Sequence, residues 1–192
     1  LLWGSPSFVC VTATLGCAPA WCVLVGADWC FPLDQFIWKP NVALSSNKNL
    51  DFYFERDGVL EALENTNLAY SPNVVIGNAF IYAPSTGFQV GLLSKYVGEQ
   101  FMGNIDSANS LLNSYLVSDI SAFWTWQSNT WFDSIQWSLL INNIFNEQYE
   151  SNGYFYTYDD SWSNPGQIET IEGAGYYPQA GINFLTGLKL RF

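Results

Sequence analysis

The sequence predicts an all-β chain of about six antiparallel strands that cross a membrane, and three observations predict it. From Phe36 onward, apolar and polar residues alternate with period two, the pattern of strands with two unlike faces. Charged residues make up only 12% of the 192 residues while aromatic ones reach 18%. A soluble domain carries about 25% charge, so part of the expected solvent is lipid. Connections between the alternating stretches are short at one end and long at the other, as in an outer-membrane barrel with short periplasmic turns and long outer loops.

Composition excludes several functions before any motif is read. A formal charge of −11, from 6 Lys+Arg against 17 Asp+Glu, leaves too few cations for phosphate contacts, so no nucleic acid is expected as a partner. The chain contains no histidine, which removes Ser-His-Asp and Cys-His nucleophile systems and His-ligated metals. No catalytic residue, cofactor or metal is expected, and the chain is not expected to be an enzyme. Its aromatic content is incompatible with intrinsic disorder.

Residues 1–35 differ from the rest. They hold only Asp28 and Asp34 as charges, together with all four cysteines, Cys10, Cys17, Cys22 and Cys30, which form no C-x-x-C pair. A signal peptide lacks its basic region here, and Gly16 and Pro19 interrupt any spanning helix. The segment shows no sustained alternation and is expected to be irregular, an atypical stretch with no assignable domain. A poorly ordered end and out-of-frame translation both fit it. Residues 36–192 are expected to form one unit.

Within that unit the strands follow in order. Phe36 to Arg56 and Leu68 to Tyr82 alternate with interruptions. Phe88 to Glu99 sets Phe88, Val90, Leu92 and Tyr96 against Gln89, Gly91, Lys95 and Glu99. In Leu116 to Trp126, Leu116, Ile120, Ala122, Trp124 and Trp126 oppose Asp119, Ser121 and Thr125. Ile135 to Asn142 opposes Ile135, Trp137, Leu139 and Ile141 to Gln136, Ser138 and Asn142, and Ile182 to Phe192 is the most regular. The apolar rows are expected to meet acyl chains; Lys95, Glu99, Asp119, Lys189 and Arg191 are expected on the lumen face. Ala83 to Gly87 and Gln127 to Phe132 read as short turns, Met102 to Asn113 and Glu150 to Tyr177 as long connections. Tyr82, Phe88, Trp124, Trp126, Trp131, Phe132 and Trp137 cluster near the short turns, and Tyr70, Tyr96, Phe101 and Tyr149 near the long ones, where two interfacial belts would lie.

Two C-terminal motifs carry a family resemblance. Ile141-Asn142-Asn143-Ile144-Phe145-Asn146-Glu147-Gln148-Tyr149-Glu150, followed by Ser151-Asn152-Gly153-Tyr154, resembles the penultimate strand of TonB-dependent outer-membrane receptors. Pro178, Gly181, Phe184, Gly187, Leu188, Leu190 and Phe192 are similarly spaced to the end of that family, and Ser71-Pro72-Asn73 and Leu93 to Gly98 also fit. The resemblance implies the last quarter of a barrel of about 22 strands, in the outer membrane of a Gram-negative bacterium. It implies uptake of a scarce solute such as a ferric siderophore or a corrinoid. The partners implied are the lipid bilayer, the barrel-assembly machinery reading Leu188, Leu190 and Phe192, and the TonB complex, reached only through a plug domain not visible here. A small porin-like barrel and a soluble carbohydrate-binding β-sandwich are the alternatives.

The long connection after Glu150 is aromatic and acidic, with no Lys or Arg. Tyr154, Tyr156, Tyr158, Asp159, Asp160 and Trp162 are its candidate ligand-binding residues, because long loops concentrate function. An unspecialised surface loop is the competing reading, and Asp159-Asp160 is a weak calcium candidate.

Overall fold

The computed structural model describes residues 7–8, 20–30, 35–127 and 133–192, the first two stretches by backbone alone. The strands are β1 (Ser7–Phe8), β2 (Ala20–Cys30), β3 (Phe36–Arg56), β4 (Val59–Asn67), β5 (Val74–Ser85), β6 (Phe88–Val97) and β7 (Gln100–Phe101). After a 3-10 turn (Ala108–Ser110) come β8 (Leu111–Leu112), β9 (Tyr115–Gln127), β10 (Ser134–Asn142), β11 (Glu150–Asp160), β12 (Glu169–Pro178) and β13 (Asn183–Arg191). The main sheet runs β1-β2-β3-β5-β6-β9-β10-β13, antiparallel throughout, with β4 folded back on the far half of β3. Among the described residues this path does not join end to end. It is an open antiparallel wall of the kind an incomplete outer-membrane barrel presents.

Each of the six stretches expected from alternation contributes a wall strand, the first only as far as Asn47. Register aligns their apolar residues into continuous rows. Trp38, Phe80, Leu92, Ile120, Ile141 and Phe184 face one another in sequence across six strands. Because side chains alternate across a sheet, one aligned row fixes the face of every strand. Ile76, Phe80, Leu116, Trp124, Trp126, Phe184 and Leu188 on this face are exposed, with no second layer of the described residues covering them. A soluble sandwich would bury such a face against another sheet; a barrel gives it to lipid. On the opposite face Lys95 pairs in register with Gly77 and Val117, Asp119 with Leu93, and Lys189 with Gln136. Glu99 lies beyond the end of β6 and is not on the wall.

The short-turn end carries a girdle of rings. Phe36 stacks on Tyr82 at 4.5 Å, Phe88 meets Trp124 edge-on at 5.9 Å, and Trp124 stacks on Trp126 at 4.3 Å. The Trp137 indole N–H donates to Thr186 Oγ1 at 2.9 Å, which satisfies its polar atom in an apolar setting. Trp131 and Phe132, also expected in this girdle, lie outside the described residues.

Three parts of the fold differ from the sequence expectation. The first 35 residues are not wholly irregular, since β2 pairs with β3 from Ala20–Asn47 to Cys30–Ile37. Gly26 and Asp28 break its alternation, yet a strand flanked on β3 by a formed ladder gains its backbone bonds whatever its pattern. The second difference is the stretch Glu150 to Tyr177, which is not a loop but a β-hairpin, β11 paired with β12. The third is the expected outer belt, of which Tyr96 stands in register between Ile76 and Leu116 on the apolar face while two other members turn elsewhere. Tyr149 stacks on Tyr115 at 4.3 Å, and the Tyr70 hydroxyl donates to the Gly153 carbonyl at 2.8 Å. These rings brace the long connections against one another.

Candidate functional site at the long-connection end

Three excursions leave the wall at the same end and pack together. The first is the hairpin of β4 with residues 48–56 of β3, reversed at Asp57-Gly58, where φ is 54° and 74°. Two consecutive positive φ values are what a two-residue hairpin turn matching strand twist needs, and glycine takes the second at no steric cost. The second excursion is the β7–β8 arm with its 3-10 turn, and the third is the β11–β12 hairpin. Val97, Met102 and Leu112 are buried where they meet.

Side-chain bonds tie the three together. Glu172 accepts from the Arg56 guanidinium at 3.4 Å, from the Ser107 hydroxyl and from the Asn109 amide at 3.0 Å, so one carboxylate joins all three excursions. The Asp57 amide donates to Thr170 Oγ1 at 2.8 Å and the Thr170 amide to Asp57 Oδ1 at 2.7 Å. Asn67 donates from its backbone and side-chain nitrogens to Asp106 at 2.9 and 3.0 Å.

The root of the third excursion is the motif after β10. Asn143 is 2% exposed and has φ 51°, a left-handed conformation that asparagine tolerates. Its side-chain amide donates to the carbonyls of Glu147 and Ala180 at 2.8 and 3.2 Å, while its Oδ1 accepts from the Glu147 amide at 2.8 Å. Its own backbone N–H donates to Asp119 Oδ1 at 2.8 Å. Asn146 Oδ1 accepts from the Ile182 amide at 3.0 Å at the entry to β13. The motif therefore fixes where the chain leaves and re-enters the wall, and its asparagines are there for backbone geometry and hydrogen bonding.

The hairpin has two unlike faces. Gly153 and Phe155 turn toward the β7–β8 arm, where Gly153 lies against Met102 and Phe155 against Gly103. Tyr154, Tyr156 and Tyr158 turn the other way and continue into Trp162. Neighbouring centroids along this row are 6.2, 6.3 and 6.1 Å apart and the planes lie within 18° of each other. Tyr154 and Tyr156 cross onto Gly175 and Gly173, where any Cβ would strike the rings. Tyr177 joins at 6.1 Å from Tyr154. All five rings are between 43% and 68% exposed.

Of the six residues expected to bind ligand, the structure brings Tyr154, Tyr156, Tyr158 and Trp162 into one row and parts the two aspartates. Successive strand residues face opposite ways: Asp159 Oδ1 accepts from the Thr170 hydroxyl at 2.8 Å, whereas Asp160 closes the turn, accepting from the Trp162 and Ser163 amides at 3.1 and 3.0 Å. The side-chain hydroxyl and backbone amide of Ser163 hold the Asp160 carboxyl below its ordinary range. The pair does not converge on a calcium site, and no group of potential metal ligands forms among the described residues. Tyr177, Gly173 and Gly175 were missed; the Gly-x-Gly-x-Tyr spacing on β12 was the available signal.

An open wall with an apolar outer face, an aromatic girdle at the short turns and packed hairpins at the other end defines a segment of an outer-membrane-type β-barrel fold. No protein-family model and no curated protein matches the chain. Among solved structures it is similar to the ferric yersiniabactin uptake receptor FyuA from Yersinia pestis, with TM-score 0.56 and 18% identity over 90% of this chain and 23% of that one. It is also similar to the siderophore receptor PiuA from Acinetobacter baumannii, with TM-score 0.53 and 13% identity over 88% of this chain and 22% of that one. The chain thus spans less than a quarter of the length of either. The likeness is one of fold.

Proposed function

We propose that this chain supplies part of the wall and outer hairpins of a TonB-coupled outer-membrane receptor that imports a scarce solute, a ferric siderophore or a corrinoid. The observation that carries the reading is the single-layer wall whose apolar rows stay in register across six strands, with no second layer of the described residues over them. Only lipid offers such a face a favourable contact, because burial of apolar surface must otherwise come from a second layer. The long-connection end faces outside the cell and captures the solute on the β11–β12 hairpin; Leu188, Leu190 and Phe192 on and after β13 serve the assembly machinery. Movement of solute through the barrel requires a plug and TonB, which act outside this chain. Capture needs no covalent chemistry.

Fractionation tests the reading. The chain, made within its native polypeptide, should pellet with outer membranes and leave them only with detergent. Recovery in the soluble periplasmic fraction would contradict it and favour a soluble β-domain.

A further inference from the structure

Charge is distributed unevenly over the molecule. Segments 45–73, 98–114 and 143–182, which build the long-connection end, hold thirteen of the seventeen carboxylates but only Lys48 and Arg56 of the six cations. Carboxylates and cations elsewhere balance, so the whole formal charge of −11 sits at this end. Both cations there are engaged: the Lys48 ammonium donates to Asn67 Oδ1 at 2.6 Å, and Arg56 lies between Glu61 and Glu172 at 3.7 and 3.4 Å. The β11–β12 hairpin contributes five carboxylates and no cation, and two of them, Asp160 and its cross-strand partner Glu169, share the face of the tyrosine row.

The second feature is the row itself. Tyr154 and Tyr156 lie over glycines, so their ring faces are presented outward in a floor that continues through Tyr158 to Trp162. Ring faces carry the negative part of the aromatic quadrupole and attract cations, most strongly where solvent is displaced. A field of one sign around such a floor raises the local concentration of positive solutes and repels negative ones.

Resting on the receptor reading above, we propose that the tyrosine–tryptophan floor of the β11–β12 hairpin takes a flat, positively charged ring system, and rejects an anionic chelate. Contact comes from ring stacking and cation–π attraction on Tyr154, Tyr156, Tyr158 and Trp162. The surrounding carboxylates supply the selection by sign. An anionic complex would need Lys or Arg, and this face offers neither.

The test uses two tricyclic probes of similar size, proflavine as the cation and anthracene-2-carboxylate as the anion, titrated against the purified full chain in dodecyl maltoside. Proflavine should bind more tightly than the anion by about tenfold or more and weaken as salt rises. Trp162→Ala, at the turn and off the glycine ladder, should lower that affinity about tenfold with strand content by circular dichroism unchanged, and Tyr156→Phe should retain it. Equal or tighter binding of the anion, lost in Trp162→Ala, would overturn the charge selection while leaving the hairpin as the capture surface. Binding of neither probe, or binding unchanged in Trp162→Ala, would overturn the floor as a ligand surface; membrane fractionation judges the receptor reading separately.

Discussion

The Tyr156 ring lies across Gly173, its cross-strand partner, and occupies the space a side chain there would need. The same relation holds between Tyr154 and Gly175. Each glycine is thus a condition for the flat aromatic floor, since the close approach leaves no room for a Cβ.

Substitution at Gly173 should separate folding from platform geometry. In Gly173→Ala the new methyl meets the far end of a movable ring, so the hairpin should persist at a cost of about 1 kcal/mol or less. The ring must swing away, and the near-ultraviolet circular dichroism of the tyrosine row should fall. Gly173→Val should abolish that signal and speed proteolysis of the hairpin. An unaltered near-ultraviolet spectrum in both variants would show that the rings do not rest on the glycine.

The knot at Asn143 should matter to stability more than any exposed residue of the hairpin. Asn143→Ala removes three side-chain hydrogen bonds at a buried position and leaves a non-glycine residue at φ 51°. A loss of about 2–3 kcal/mol is expected from groups of this kind. Asn143→Gly relieves the backbone but not the bonds, and should recover only part of it. Unfolding in urea, followed by heat-modifiable migration, measures both; equal stability of all three proteins would contradict the assignment.

Glu172 should hold the outer hairpins together. Its side chain is 13% exposed and receives Arg56, Ser107 and Asn109. Glu172→Ala should cost about 1–2 kcal/mol locally and loosen the β3–β4 hairpin from the β11–β12 hairpin. Limited proteolysis at Asp57-Gly58 should accelerate while the wall strands stay resistant. Equal cleavage rates would remove Glu172 from this role.

The turn after β11 should respond to acid. The Asp160 carboxyl is held below its ordinary value by Ser163 and Trp162. A carboxyl depressed in the folded state contributes stability above its unfolded pKa, near 4, and loses that contribution as pH falls through the lower folded value. Amide exchange at Trp162 and Ser163 should therefore be protected at neutral pH and lose protection below about pH 4; in Asp160→Asn the pH dependence should vanish. A protection factor independent of pH in the unaltered protein would contradict this.

Much of the wall was legible because lipid and lumen impose opposite demands on alternate residues. Ser134–Asn142 and Tyr115–Gln127 fall within one residue of the stretches read from alternation, and Phe36–Arg56 matches them. β2 was not legible, since its alternation is broken, although Pro19 and Pro32 bracket a proline-free run of strand length. The β11–β12 hairpin was hidden by its glycines and serines, which resemble loop composition. Its signal was Tyr154-x-Tyr156-x-Tyr158 on one strand and Gly173-x-Gly175 on the other, opposite Tyr156 and Tyr154. The role of Asn143 was recognisable only as a motif; that it bonds to Ala180, far along the chain, is a tertiary fact.

The carboxyl-terminal strand should matter to assembly. Leu188 and Leu190 pair in register with Trp137 and Ile135, and Phe192 follows β13. Deleting Phe192 from the native polypeptide should lower its abundance in the outer membrane and raise periplasmic degradation. Unchanged abundance and heat-modifiable migration would contradict a role in recognition.

The central claim is that the wall spans the outer membrane with the packed hairpins outside. Single cysteines at Ser161, in the turn after β11, and at Ser85, the last residue of β5 beside the short turn, test it most directly in intact cells making the native polypeptide in a background whose own cysteines are replaced. A membrane-impermeant maleimide should label Ser161→Cys on intact cells and Ser85→Cys only after the outer membrane is opened. Labelling of Ser85→Cys alone on intact cells would invert the wall, and equal labelling of neither until the cells are lysed would place it elsewhere.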